Sequence, residues 1–220
     1  MSAVSIPPVP MREALHFLGW RGSPVEPELL ANLQHLIDRT RGELMPCVVM
    51  QRFTFDAQGC LSGTTFRPKG NDVKQMLAAC DEAVLMAATL GLQSERVLIR
   101  QQACSSADAL LLDAVLSAAI EAVCDECEEQ LRKEIEASGL YLTDRFSPGY
   151  GDMPLVQSGE ICDVLQAQKK IGLTVSKSGI MIPRKSVSAI MGISKVEPQR
   201  RPKGCAVCDM RKTCSLGPRE

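Results

Sequence analysis

Histidine is scarce in this chain, two in 220 residues, and both His16 and His35 fall early, in segments whose apolar residues recur at helical spacing. A Ser-His or Cys-His hydrolase needs an imidazole beside its nucleophile, so that chemistry has little support here. An excess of one charge is also missing: 25 Lys+Arg against 26 Asp+Glu leave a formal net charge of -1. Such a balance calls for neither nucleic acid nor an anionic membrane as a partner. Long hydrophobic runs are absent. The longest, around Ala83 to Leu90 and Ala109 to Ala119, are interrupted by Thr89 or Asp113 and are too short to span a bilayer. No Gly-x-Gly-x-x-Gly or Walker loop occurs, which argues against the familiar nucleotide-phosphate sites. Met1 to Pro10 has no basic residue ahead of its mildly apolar prolines, unlike a secretory signal. There is no internal repeat.

What is present reads as an ordinary globule, with 45% hydrophobic residues and a mean hydropathy of zero. The length suits one domain or one and a half. Ten cysteines are many. Without a signal, and with Cys47, Cys60, Cys80, Cys104 and Cys162 scattered singly, they predict mostly buried free thiols acting as small hydrophobes in a reducing cytoplasm.

The pattern of elements is mixed. A proline-rich arm over 1–10 leads to helices over Met11 to Trp20 and from Pro27 to about Gly42. Cys47 to Phe55 is β-branched and aromatic, hence a strand, and Cys60 to Phe66 is expected to return as its hairpin partner after the Asp56–Gly59 turn. Asn71 or Asp72 should cap a short helix to Ala79, followed by a buried strand over Ala83 to Gly91 and a helix from Ser94 to Gln102. Ser106 then opens the longest periodic segment, to about Ala137, a rod of roughly 45 Å. Its first half is apolar nearly all round and should be the buried one. A helix over Glu160 to Lys170 and strands around Leu173–Val175, Ile180–Ile182 and Ser186–Ile193 complete the core. This order predicts an α+β fold, a mixed or antiparallel sheet packed with helices including one long helix. The expected division is an arm and helices over 1–44, a core over 45–195, and a polar linker with a cysteine tail over 196–220.

Two stretches carry chemistry. Arg145-Phe146-Ser147-Pro148-Gly149-Tyr150-Gly151-Asp152-Met153-Pro154 holds two prolines and two glycines, so it is a shaped loop that can fix polar side chains in place. It is equally readable as a tight connection between elements. In the tail, Cys205-x-x-Cys208-x5-Cys214 places three thiolates at metal-site spacing, for zinc or an iron-sulfur cluster, with the fourth ligand supplied from elsewhere. Cys124-x-x-Cys127 lies mid-helix and is read as packing. Glu121, between apolar neighbours, either faces solvent or pairs with a nearby base.

The loop, together with Ile171-Gly172-Leu173-Thr174-Val175 and Pro183-Arg184-Lys185-Ser186-Val187-Ser188-Ala189-Ile190, resembles the activation domain of vitamin B12-dependent methionine synthase. The resemblance is closer to the form in which that domain is a separate activation subunit, and it covers residues 70 to 195. It implies an S-adenosylmethionine-binding subunit of a methyltransferase, acting only in complex. Its partners would be a cobalamin-binding methionine synthase core, whose cob(II)alamin is reductively methylated, and an electron donor of flavodoxin or ferredoxin type. Carried over by position, Arg145 would meet the methionyl carboxylate, Ser147, Gly149 and Tyr150 would line the ligand, and Glu121 would face its ammonium or sulfonium charge. Two departures stand out. Ser188 leads into Ala189-Ile190-Met191-Gly192-Ile193 where the fused domain has a further ligand-contacting tyrosine, and the cysteine tail has no counterpart there. No Asp-x-His-x-x-Gly motif for holding cobalamin is present. The alternative is an iron-sulfur redox adaptor that passes electrons from the tail to a corrinoid protein, the loop serving only for docking.

Overall fold

The computed structural model describes residues 2–20 and 24–198. Its centre is a five-stranded sheet in the order β1-β2-β3-β7-β4, with every pair antiparallel. The strands are β1 (Ser2–Ala3), β2 (Cys47–Thr54), β3 (Cys80–Thr89), β4 (Tyr141–Leu142) and β7 (Ser186–Ser194). β5 (Thr174–Val175) and β6 (Met181–Ile182) form a separate hairpin. The helices are α1 (Met11–Phe17), α2 (Pro27–Arg41), α3 (Asn71–Leu77), α4 (Leu92–Cys104), α5 (Ser106–Ala137), α6 (Gln157–Leu165) and α7 (Ala167–Ile171).

The two central strands are apolar on both faces because both faces are covered. Val84, Met86, Met191 and Ile193 pack on α5 through Leu112, Leu116, Ile120 and Val123. Leu85, Ala87 and Ile190 pack instead on α3, α6 and α7 through Val73, Leu77, Ile161, Leu165 and Ala167. The first half of α5 is the buried half, as its composition requires. α1 and α2 rest on that half through Ala14, Leu33, Ile37, Val115 and Ala118. The N-terminal arm adds β1 at the sheet edge and buries Ile6.

Several expectations are corrected. Cys60 to Phe66 is no strand: it meets the end of β2 through the isolated bridge Phe55↔Leu61 and the Thr54–Ser62 hydrogen bonds, then folds into turns, with Gly63 at φ 76. The helix expected over Glu160 to Lys170 is two helices, broken at Gln166, whose backbone is left-handed at φ 54. Asn71 and Asp72 do not cap α3 with their own side chains; its N-cap is Gly70, which has none to offer. Of the singly scattered cysteines only Cys162 is buried, and Cys104 is exposed. Cys124 and Cys127 are both buried in the core, as read. Cys205, Cys208 and Cys214 lie outside the described residues.

Candidate functional site

Positions 121, 125 and 128 of a helix fall on one face, one and then two turns apart. On α5 they are Glu121, Asp125 and Glu128, an acidic ladder beside the buried face that Cys124 and Cys127 continue. The chain returns to this ladder after the helix ends. Residues Tyr141 to Phe146 run antiparallel beside β7: Leu142 pairs with Ile193, the Gly192 amide donates to Thr143 Oγ1 at 2.8 Å, and Phe146 bridges Ile190. That edge register delivers Arg145 to α5.

The Arg145 guanidinium lies along all three acids. Its Nε is 3.0 Å from Glu128 Oε2, and its Nη2 is 2.6 Å from Asp125 Oδ1 and 3.3 Å from Glu121 Oε2. Arg132 closes the arrangement from behind, donating to Glu128 Oε1 at 2.7 Å and to the Leu142 carbonyl at 2.5 Å. The third nitrogen of Arg145, Nη1, is shut off from solvent and has no hydrogen-bond partner. Burial works against the Arg145 charge, yet the carboxylates of Asp125, Glu121 and Glu128 beside it hold the guanidinium above its usual pKa. Burial pushes the Glu121 acid up; Arg145 opposes this, while Asp125 and Glu13 of α1 add to it. Glu121 therefore pairs with a base, one of the two readings open from the sequence.

Beyond Arg145 the loop folds on itself. The Tyr150 amide donates to the Ser147 carbonyl at 3.2 Å, and the Gly149 amide to the Met153 carbonyl at 2.9 Å. Ser147 is half-buried, Gly149 is exposed, and the Tyr150 ring is 71% exposed. The loop is tied down by Asp152, whose carboxylate accepts from the Asn71 amide at 2.6 Å and the Asp72 amide at 3.0 Å. These two amides hold the Asp152 acid below the usual carboxylate range. The same contact supplies the cap that α3 lacks locally, and an acid suits a helix N-terminus. Two glycines make it possible. A Cβ on Gly70 would lie 2.6 Å from Asp152 Oδ1, and one on Gly151 2.2 Å from Asp72 Oδ2, and both backbones have positive φ.

The structure thus brings Glu121 and Arg145 into contact, with Ser147, Gly149 and Tyr150 following Arg145 on one tied loop. Asp125, Glu128, Arg132 and Asp152 were not singled out in the sequence. The i, i+4, i+7 spacing from Glu121 was the available signal for the first two. The strand after Ser188 offers no aromatic platform: Ala189, Ile190, Met191 and Ile193 are all buried. Among the described residues no cluster of His, Cys, Asp and Glu could hold a metal ion, and no helix is long and apolar enough to cross a membrane. A cavity of about 690 Å³ is lined by Cys162, Asp163, Gln166, Lys169 and Thr174 among others, and by none of the candidate residues. Burial pushes the Cys162 thiol up to about 12.

An antiparallel sheet covered on both faces, with one long helix meeting an arginine-bearing loop at its edge, is an α+β architecture. Its sequence matches, over residues 74–198, the family described as vitamin B12 dependent methionine synthase, activation domain, and the chain belongs to that family. Among solved structures it is similar to the "MetH Reactivation Domain bound to AdoHcy", with a TM-score of 0.66 at 16% sequence identity, over 98% of this chain and 86% of that one. A search of curated proteins finds no match.

Proposed function

We propose that this chain binds S-adenosylmethionine at the Arg145–Tyr150 loop and supports reductive methylation of cob(II)alamin carried by a separate cobalamin-binding methionine synthase core. Family membership and the AdoHcy bound by the similar solved structure support the ligand class. The observation that carries the reading is Arg145 itself, packed against Glu121 at the foot of the loop with a buried Nη1 that lacks an acceptor. A buried cationic donor without a partner is costly, and a carboxylate is its natural complement. Glu121 beside it offers negative charge to an ammonium or sulfonium. The groups present therefore fit the amino-acid end of the ligand.

One electron from a donor of flavodoxin or ferredoxin type reduces the partner's cobalt from the +2 to the +1 state. The cobalt electron pair then forms the bond to the sulfonium methyl, the carbon-sulfur pair stays on sulfur, and S-adenosylhomocysteine leaves. This chain's part is to grip the ligand by its carboxylate and present the methyl at the exposed face of the loop. We also read Cys205, Cys208 and Cys214 as ligands of zinc or of an iron-sulfur cluster.

Calorimetric titration of the full chain with S-adenosylmethionine tests the proposal, beside anaerobic reconstitution with a methionine synthase core lacking its own activation domain and a reduced flavodoxin. Binding, and the appearance of the methylcobalamin spectrum only with all components, are expected. Absence of binding refutes the reading. Iron, sulfide and zinc analysis of the same anaerobic preparation decides the tail, and iron and sulfide without ligand binding would favour the redox adaptor.

A further inference from the structure

Arginine presents its five N–H donors along two forks, one joining Nε to an Nη and one joining the two Nη nitrogens. On Arg145 the first fork is closed. Glu128 Oε2 sits 3.0 Å from Nε, and the Glu128 side chain is only 10% exposed and is held by Arg132 as well. The second fork is half occupied. Nη1 is buried and has no partner, and Nη2 is taken by Asp125 at 2.6 Å and, less closely, by Glu121 at 3.3 Å. The three acids are not equally fixed. The Asp125 side chain is 70% exposed, against 39% for Glu121, so Asp125 alone can turn out into bulk water at little cost.

We infer that Asp125 stands in for the ligand's carboxylate in the free protein, and that binding exchanges the two: Asp125 turns out into water while the incoming carboxylate takes Nη1 and Nη2 of Arg145 as a fork. The exchange breaks no covalent bond and moves no proton; one ion pair replaces another. It rests on the S-adenosylmethionine reading and adds to it an internal competitor that weakens the ligand's hold. Without the exchange, Nη2 is already engaged and Nη1 alone can offer only a single contact. Exposed ion pairs are worth up to about 1 kcal/mol, so the competition weakens carboxylate binding by about fivefold.

The test is an Asp125→Asn variant of the full chain, titrated with S-adenosylmethionine and with decarboxylated S-adenosylmethionine, which lacks only the carboxylate. Asparagine keeps the size but competes poorly for a guanidinium. The affinity for S-adenosylmethionine relative to that for the decarboxylated compound should rise about fivefold, because removing a negative charge near the shared ammonium and sulfonium weakens both alike and only the carboxylate gains. The ratio of the two affinities is the quantity that decides. Glu126→Gln, at an exposed neighbouring position away from Arg145, should leave the ratio unchanged. A ratio that does not move in Asp125→Asn, or that rises equally in Glu126→Gln, overturns the exchange. If the parent binds no S-adenosylmethionine, the proposed function fails instead. A parent that binds normally with an unmoved ratio sinks only the role of Asp125.

Discussion

Replacing Arg145 with alanine removes one positive charge from among three negative ones, and the structure says which of the three matters for folding. Asp125, with a side chain 70% exposed, forms a surface pair worth up to about 1 kcal/mol. Glu121, at 39%, contributes in the same screened range. Glu128 is different: at 10% exposure, 3.0 Å from Arg145 Nε, it would be left largely buried with half its partners gone. Orphaning one member of a fully buried pair costs about 3–5 kcal/mol. Arg132 still holds Glu128 at 2.7 Å, so the loss should fall below that range. We expect Arg145→Ala to lower the unfolding free energy by about 2–3 kcal/mol, measured by urea denaturation with linear extrapolation. Adding Glu128→Gln should recover about half of this. Raising the salt to 1 M should remove only the minor part due to Asp125 and Glu121, since buried pairs are poorly screened. A loss under about 0.5 kcal/mol, or one abolished by salt, would mean that the cluster is an ordinary surface network and that α5 does not position Arg145.

Further outcomes follow from the same contacts. Asp152→Ala should weaken S-adenosylmethionine binding and lower the melting temperature together, because one carboxylate both ties the loop and caps α3; Gly151→Ala should weaken binding as well, by driving a Cβ into the Asp72 carboxylate. Unchanged affinity in both variants would separate the loop's shape from the ligand. Glu121 gives a pH test. Its acid is raised above the usual value of 4.5 mainly by burial, so the native state holds the proton more tightly than the unfolded chain does. The parent should therefore lose stability as pH rises from that usual value through the raised one, relative to Glu121→Gln, which lacks the group. Melting temperatures of the two proteins over the acid range check this, and a difference that grows in the parent's favour with rising pH would contradict the assignment.

The parts of this protein legible in its sequence are those governed by local periodicity. The long helix falls where its apolar spacing put it, Ser106–Ala137, and Ser105 caps it by accepting from the Asp108 amide at 3.2 Å. β3 stands out through its apolar run from Ala83 to Ala88, which is covered on both faces. The loop was legible as a loop, since prolines and glycines restrict the backbone wherever they occur. Other features carried no local signal. Gln166 adopts a left-handed backbone without being glycine or asparagine, and the break between α6 and α7 follows from it. The Cys60 to Phe66 stretch had a turn before it and the right composition, but after one backbone bond to the strand, from the Ser62 amide to the Thr54 carbonyl at 2.9 Å, it closes on itself, the Leu61 amide donating to the Phe66 carbonyl at 2.9 Å.

What the sequence alone determined is the long helix and most of the other elements, the loop and its charged residues, and the order of motifs that marks the family. Periodicity and backbone restriction act within a few residues, and a linear reading can weigh them. What only the tertiary structure decided is who holds whom. Arg145 is bound by an acidic ladder that begins 24 residues earlier, and Asp152 caps a helix whose amides lie 80 and 81 residues away. Those pairings depend on strand register and helix packing closing over long stretches of chain. Charge complementarity names the possible partners, but only the fold brings one of them within hydrogen-bond reach.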